Sequence, residues 1–123
     1  MAEEKKKRFT KRSLPVPVRL AAESCLARKA EDLCVLDLRE LSSFTDFFLI
    51  AHGNSSRQNA AVADAVEVAL RLAGLRPLSV EGRESAEWIL LDYGSLVVHV
   101  FSRAARDHYS LEKLWGDAPR LDF

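Results

Sequence analysis

A chain of 123 residues has room for one domain, because a second hydrophobic core would need more apolar residues than this sequence holds. Hydrophobic residues make up 48% of the chain and charged residues 29%, a balance that excludes a protein disordered throughout. The formal net charge is zero and no apolar run is long enough to span a bilayer, which argues against a broad basic nucleic-acid surface and against a membrane-spanning protein.

The N-terminal segment differs in charge from the rest of the chain. Residues 1–12 carry six basic and two acidic residues, whereas the remaining residues include 12 basic and 16 acidic ones. The two prolines of SLPVP (13–17) disfavour helix. We therefore predict a basic flexible tail and a proline-containing linker over residues 1–17, followed by a single domain over residues 18–123. The start lacks the apolar segment of a secretory signal, and Glu3 and Glu4 argue against a transit peptide, so we expect a cytoplasmic protein.

The first predicted elements are a helix and two strands. Apolar residues three and four positions apart predict a helix over residues 18–29, and the apolar runs LCVLDL (33–38) and FFLIA (47–51) predict strands. The loop between the strands is of hairpin size, which favours antiparallel pairing. Cys25 and Cys34 form no CxxC pair and are predicted to be small core residues without a disulfide. The helix is expected to bury Val18, Ala21, Ala22, Cys25 and Leu26.

The stretch GNSSRQ (53–58) predicts the start of a second helix, because Ser55 and Gln58 have the spacing of a capping box. Gly74 suits the left-handed position after a helix and Pro77 prevents continuation, so the helix is predicted to end near Ala73. A glycine-led turn into a helix also suits an anion, although a plain cap accounts for the same residues. The predicted buried stripe consists of Val62, Ala65, Val66, Ala69 and Leu72 or Ala73.

The C-terminal half predicts three strands and a helix. Residues 78–80 form a short strand, and residues 88–101 form a β-hairpin whose turn is YGS (93–95). Ser102 then caps a short turn, and a terminal helix ends at Gly116. The predicted order is αββαβββα, an α/β (α+β) fold in which a mixed β-sheet is flanked by helices. The terminal helix is predicted from Leu111, Leu114 and Trp115.

The sequence gives little support for catalysis or metal binding. The three histidines, His52, His99 and His108, lack the spacing of zinc ligands, and His99, inside a predicted strand, is expected to be half-buried and packed. No nucleophile motif is present, so we predict no catalytic residue, no metal and no cofactor. The alternative is a nucleotidyltransferase-like enzyme acting on a nucleotide or RNA, for which Gly94 and Ser95 are suggestive. Residues 96–106, however, lack the carboxylates that would hold magnesium.

Four segments carry a family resemblance: SSFTDFFLIAHGNSSRQ (42–58), LSVEG (78–82), EWILLDYGSLVVHVF (87–101) and RDHYSLEKLWGDAP (106–119). In order and spacing they resemble the ribosomal silencing factor family, also called RsfS or Iojap. The resemblance implies a non-catalytic domain with a nucleotidyltransferase-like sheet.

The resemblance also implies partners. Such a factor binds the large ribosomal subunit through its fourteenth protein and sterically blocks association with the small subunit, which represses translation. Organellar relatives act in assembly of the large subunit, and members often form homodimers off the ribosome. No membrane partner is implied. The basic tail of this chain either makes a minor contact with ribosomal RNA or serves only solubility.

The expected binding site centres on Trp88, which the resemblance places on the partner-facing surface, whereas the sequence alone suits a core tryptophan equally well. Strand alternation puts Trp88, Leu90 and Asp92 on one face of the sheet. Acidic residues near this strand, Glu81 among them, are either a complement to a basic ribosomal protein or a solvated rim. The last aromatic and apolar set, which includes Tyr109, suits core or dimer packing as well as partner contact. The predicted ribosomal-protein-binding residues are Trp88, Leu90, Asp92, Glu87, Glu84 and Tyr109.

Overall fold

Six strands form one mixed sheet in the computed structural model, which describes residues 10–123. The basic tail over residues 1–9 lies outside the described residues. The helices are α1 (Val16–Ala27), α2 (Ser56–Leu72), α3 (Arg103–Tyr109) and α4 (Leu111–Leu114), preceded by a 3₁₀ turn at Lys11–Ser13. The strands are β1 (Glu31–Asp37), β2 (Phe47–Gly53), β3 (Ser79–Glu81), β4 (Trp88–Asp92), β5 (Leu96–Ser102) and β6 (Arg120–Asp122).

The strand order is β3-β4-β5-β2-β1-β6. The β1–β2 and β4–β5 pairs are antiparallel, as predicted, whereas β2 and β5 run parallel in the middle of the sheet. Both central strands are buried almost along their whole length, which explains why their sequences are continuous apolar runs instead of alternating ones. The prediction of a mixed sheet flanked by helices is confirmed.

The fold begins earlier than predicted. Helix α1 starts at Val16, with Pro15 as its N-cap residue and Pro17 in its first turn. A proline is tolerated there, because the first-turn amides have no partner within the helix. Leu14 is buried in the same core as the helix. The prediction of a linker through residue 17 is therefore wrong over its last residues.

The buried faces of the two long helices differ in part from the prediction. In α1 the predicted stripe is buried except for Leu26, which is exposed. In α2, Val62 and Val66 are buried as predicted, but Leu72 is 84% exposed and Leu70 completes the stripe. Residues 62, 66 and 70 form one row with a spacing of four, and a residue two positions beyond the row points to the opposite side of the helix.

The C-terminal region contains two short helices and a strand instead of one helix. Ser102 caps α3 as predicted, because its hydroxyl accepts the Ala105 N–H at 3.1 Å. Ser110, with φ of +48°, then turns the chain out of α3 and into α4. Strand β6 pairs with β1 and was not predicted, since three residues show no periodicity and their conformation depends on the neighbouring strand. The predicted terminal helix corresponds to α4, so the predicted order lacked α3, which was expected only as a turn, and β6.

The two faces of the sheet are covered unequally. Helices α1 and α2 cover one face and bury the larger hydrophobic cluster with it. The other face carries a smaller cluster that packs against α3, α4 and the segment after α4. Within the described part of the chain, no helix combines the length and apolar character needed to cross a membrane. The candidate site lies on this second face, at the smaller hydrophobic cluster.

Candidate protein-binding surface

Seven ring-bearing side chains lie together on the less covered face of the sheet, and we call them the aromatic face. They come from distant parts of the chain, and each ring lies within 6.5 Å of another, between centroids. The interior of the aromatic face is buried, whereas rings at both ends reach solvent. Its members are Phe44, Phe48, Trp88, His99, Phe101, Tyr109 and Trp115.

Trp88 is a half-buried member of the aromatic face. Its ring centroid lies 5.0 Å from that of Phe101 and 4.6 Å from that of Tyr109. Tyr109, at the end of α3, is itself 52% exposed. These distances are within the range for attractive aromatic pairs. The structure thus brings together Trp88 and Tyr109, two residues proposed from the sequence, although they are 21 positions apart.

The Trp88 indole N–H donates a hydrogen bond to Nδ1 of His99, at 3.0 Å. His99 is only 3% exposed, so it is more deeply buried than predicted, and burial lowers its pKa to about 3. Because Nδ1 accepts this bond in a neutral imidazole, the ring proton sits on Nε2. That Nε2 is buried and has no hydrogen-bond partner among residues 10–123.

The conformation of β4 and of the loop before it places Trp88 on this face. Ile89 and Leu91 are fully buried under the long helices, so Trp88 and Leu90 must point to the opposite side, and both are half-buried there. The predicted alternation is confirmed. The approach to Trp88 is tight at Gly82, where a Cβ atom would lie 1.8 Å from the Trp88 carbonyl oxygen.

Phe44 forms the other end of the aromatic face and was missed by sequence reasoning. It is 66% exposed in the loop between β1 and β2, and its ring lies 6.4 Å from those of Phe48 and Trp115. The available signal was an aromatic residue flanked by polar ones in the loop SSFTD (42–46). That signal was insufficient, because the positions of Phe48 and Trp115 around it depend on the tertiary fold.

The acidic residues proposed from the sequence have different surroundings. Glu87, just before β4, accepts the Ser102 hydroxyl at 2.9 Å, and Asp92, at the end of β4, accepts the Gly94 N–H at 2.8 Å in the hairpin turn. Glu84 is exposed on the loop between β3 and β4. Glu81 lies in β3 opposite Leu90 and so shares its side of the sheet. Negative charge therefore flanks Trp88 and Leu90.

A buried arginine, Arg106, joins α3 to α4 and to the sheet. The Arg106 Nε–H donates to the Glu112 carboxylate at 3.1 Å, and Nη1 of Arg106 lies 3.0 Å from Nδ1 of His52. Burial, followed by the nearby positive charge of Arg106, lowers the pKa of His52. A cavity of about 340 Å³ opens beside these groups and is lined by both acidic and basic side chains. We interpret the cluster as the link between the two helices and the sheet.

The two cysteines and the Gly94–Ser95 turn, all within residues 10–123, were the places to look for catalytic groups. Burial raises the pKa of the Cys25 thiol to about 12 and that of Cys34 to about 11, so both remain protonated and unreactive at neutral pH. Gly94 and Ser95 form the hairpin turn, and Asp92 is engaged by the backbone there. Residues 10–123 contain no group of three or more side chains suited to holding a metal ion.

Comparison with known proteins identifies the family. The family model described as "Ribosomal silencing factor during starvation" matches residues 11–123. The chain belongs to the RsfS family of ribosomal silencing factors. The match includes Leu14 and the start of α1, in agreement with the early beginning of the fold.

Individual RsfS-family relatives extend the match in sequence and structure. The chain is 43% identical over 105 residues to ribosomal silencing factor RsfS of Bacillus subtilis, which covers 85% of this chain and 89% of that protein. It is 32% identical over 89 residues to a mouse protein named for mitochondrial assembly of the ribosomal large subunit, covering 70% of this chain and 39% of that one. A crystal structure of a protein from Chromobacterium violaceum matches with a TM-score of 0.80 and 42% identity, over 81% of this chain and 83% of that one.

Proposed function

We propose that this protein binds the large ribosomal subunit through its fourteenth protein and keeps the small subunit from joining, thereby repressing translation. Membership of the RsfS family supports a role in ribosome silencing. The observation that carries the proposed mode of binding is the partly open aromatic face around Trp88. A bound folded domain excludes the small subunit by occupying space, so the activity requires no chemical reaction.

The aromatic face has the features of a protein-binding surface. Trp88 and Leu90 are half-buried in the free protein, while Phe44 and Tyr109 reach solvent at its two ends. Binding energy concentrates in a few aromatic anchors that become fully desolvated in the complex, and tryptophan and tyrosine are enriched among them. The surrounding rings hold these side chains in place, which lowers the entropy lost on binding.

Charge around the aromatic face favours a basic partner. Glu81, Glu84, Glu87 and Asp92 all lie on β3, on β4 or on the segment joining them. Ribosomal proteins are generally basic, so these carboxylates complement such a surface. Exposed charges of this kind raise the association rate more than they slow dissociation, and their effect declines with salt.

The available area is sufficient for a specific complex. A standard interface takes about 800 Å² from each partner. The described residues expose 7317 Å², so such an interface would cover roughly a ninth of the surface. We therefore expect most of the domain, including α1 and α2, to project from the large subunit into the space that the small subunit would enter.

Several finer features belong to the same proposal. The mouse relative supports a further part in large-subunit biogenesis. We also propose a cytoplasmic location, a homodimer when the protein is off the ribosome, and a minor contact of the basic tail with ribosomal RNA. Each can be tested separately from the binding of the large subunit.

Cosedimentation tests the proposal directly. Purified protein is mixed with isolated large or small ribosomal subunits at a fixed magnesium concentration and without nucleotide. We expect it to sediment with large subunits alone and to be displaced by excess free fourteenth protein. Failure to bind large subunits would refute the proposal, and binding that requires a nucleoside triphosphate would favour the nucleotidyltransferase-like alternative.

A further inference from the structure

We infer that His99 is a positioning residue for the binding surface: its buried imidazole takes up the Trp88 indole N–H, so that the partner contacts Trp88 as an apolar plate and not as a hydrogen-bond donor. This inference rests on the proposed function, because it concerns how the same surface is recognised. It assigns a task to a side chain that does not itself reach the partner.

The hydrogen bond runs diagonally between two strands. In the β4–β5 register Trp88 is opposite Phe101, and His99 is opposite Leu90. The indole must therefore lean along β4, towards Leu90, for its N–H to reach Nδ1 of His99 at 3.0 Å. The bond fixes the direction of the side chain as well as satisfying the donor.

The imidazole is itself held in place by its neighbours. Its ring and that of Phe48 form a T-shaped pair at 4.4 Å between centroids, and Phe101 stacks beside it at 6.0 Å with an angle of 9° between the planes. Its main chain lies in the central part of β5, between β4 and β2. An acceptor fixed in this way cannot follow the indole if the indole turns, so the bond imposes one orientation.

Removing the acceptor has a predictable effect on the surface. A half-buried indole N–H that loses its partner must turn towards water or remain unsatisfied. Turning would move the ring away from Tyr109, which now lies 4.6 Å from it. The hydrophobic cluster between the sheet and helices α1 and α2 contains neither Trp88 nor His99, so the fold can persist while the surface changes shape.

Two variants separate the acceptor from the packing. His99→Phe keeps a ring but removes the nitrogen, whereas His99→Asn places a carbonyl oxygen near the position of Nδ1. We expect His99→Phe to weaken binding to isolated large subunits about tenfold, the effect of leaving one donor unsatisfied. His99→Asn is expected to recover part of that loss. Equal loss in both variants with the fold retained would overturn the inference.

Two further readouts respond to positioning but not to general destabilisation. In the free protein, His99→Phe should shift the Trp88 indole N–H resonance, while the Trp115 indole signal stays in place. In a Trp88→Phe background, His99→Phe should cause no further loss of affinity, because its effect acts through the indole N–H. An unchanged Trp88 signal, or fully additive losses, would contradict the inference. Since the resonance is measured without ribosomes, absence of ribosome binding would refute the proposed function separately.

Discussion

The buried imidazole of His99 should make the stability of this protein depend on pH in a measurable way. Its pKa is lowered from 6.5 to about 3, and the cause is burial, which disfavours the charged ring. In the unfolded chain the same imidazole takes up a proton near its ordinary pKa. Between these two values the unfolded state binds more protons than the folded state, so stability decreases as pH falls below 6.5 and is retained above it.

The magnitude follows from the two pKa values. Between pH 7 and pH 5 the native imidazole stays neutral while the unfolded one becomes protonated, which removes about 2 kcal/mol of unfolding free energy. Urea unfolding at the two pH values gives this difference for the native protein and for His99→Asn. Other titrating groups, including His52, are shared by both proteins and largely cancel in the comparison.

The variant should therefore lose about 2 kcal/mol less than the native protein on acidification. The comparison needs only two-state unfolding with an unchanged denaturant slope, which shows that both chains expose similar surface. An equal pH dependence in the two proteins would refute the assignment of His99 as a buried neutral base. The Nδ1 atom of His99 would then not be assured as a neutral acceptor for the Trp88 indole N–H.

Three further predictions concern the surface. Trp88→Ala should weaken binding to large subunits by about 2 kcal/mol or more, roughly thirtyfold in Kd, and should keep a folded circular dichroism spectrum. Leu72→Ala, on the exposed side of α2, is the matched control and should bind normally. Equal loss of folding and binding in Trp88→Ala would make Trp88 a core residue. Phe44→Ala should weaken binding without lowering the melting temperature by more than a few degrees, and unchanged affinity would place Phe44 outside the interface. Gly82→Ala should destabilise the fold, because φ is +84° and the added Cβ would lie 1.8 Å from the Trp88 carbonyl oxygen. Gly74→Ala is the control that shares the backbone strain alone, since its φ is +88° and an added Cβ would have no atom within 4 Å. Equal melting temperatures of the two variants would exclude the close contact at Gly82.

The sequence predicted the parts of the fold that depend on local pattern. The runs at β1, β2, β4 and β5 are apolar and bounded by turn residues, so their positions and the two antiparallel pairings could be read directly. Ser55 was recognised as a cap because it needs only Gln58, three residues away. Such contacts span a few positions and leave a regular spacing in the sequence.

What the sequence did not predict depends on distant neighbours. Strand β6 pairs with the edge of β1, and the last two residues of SLPVP begin α1 next to Leu14, which is buried in the core. In α2, periodicity indicated a buried face, but Leu72 and Ala73, the two residues predicted for its end, are exposed and Leu70 is buried instead.

The candidate site was predictable to a similar degree. Alternation placed Trp88 and Leu90 on one side of β4, and the structure agrees. The rings around Trp88 come from β5 and α3, and Phe44 comes from the loop before β2, so no spacing in the sequence indicates that Tyr109 touches Trp88 or that Phe44 extends the surface. The role of His99 as hydrogen-bond acceptor was likewise invisible, since it depends on a diagonal contact between strands.

Subunit joining provides the most direct test of passive obstruction. Large subunits are first saturated with the protein, small subunits are added at constant magnesium without nucleotide, and light scattering follows the formation of joined ribosomes. The account predicts that joining falls in proportion to occupancy of the large subunit, and that Trp88→Ala restores it at protein concentrations where the variant no longer binds. Normal joining while the native protein remains bound to the large subunit would contradict the account.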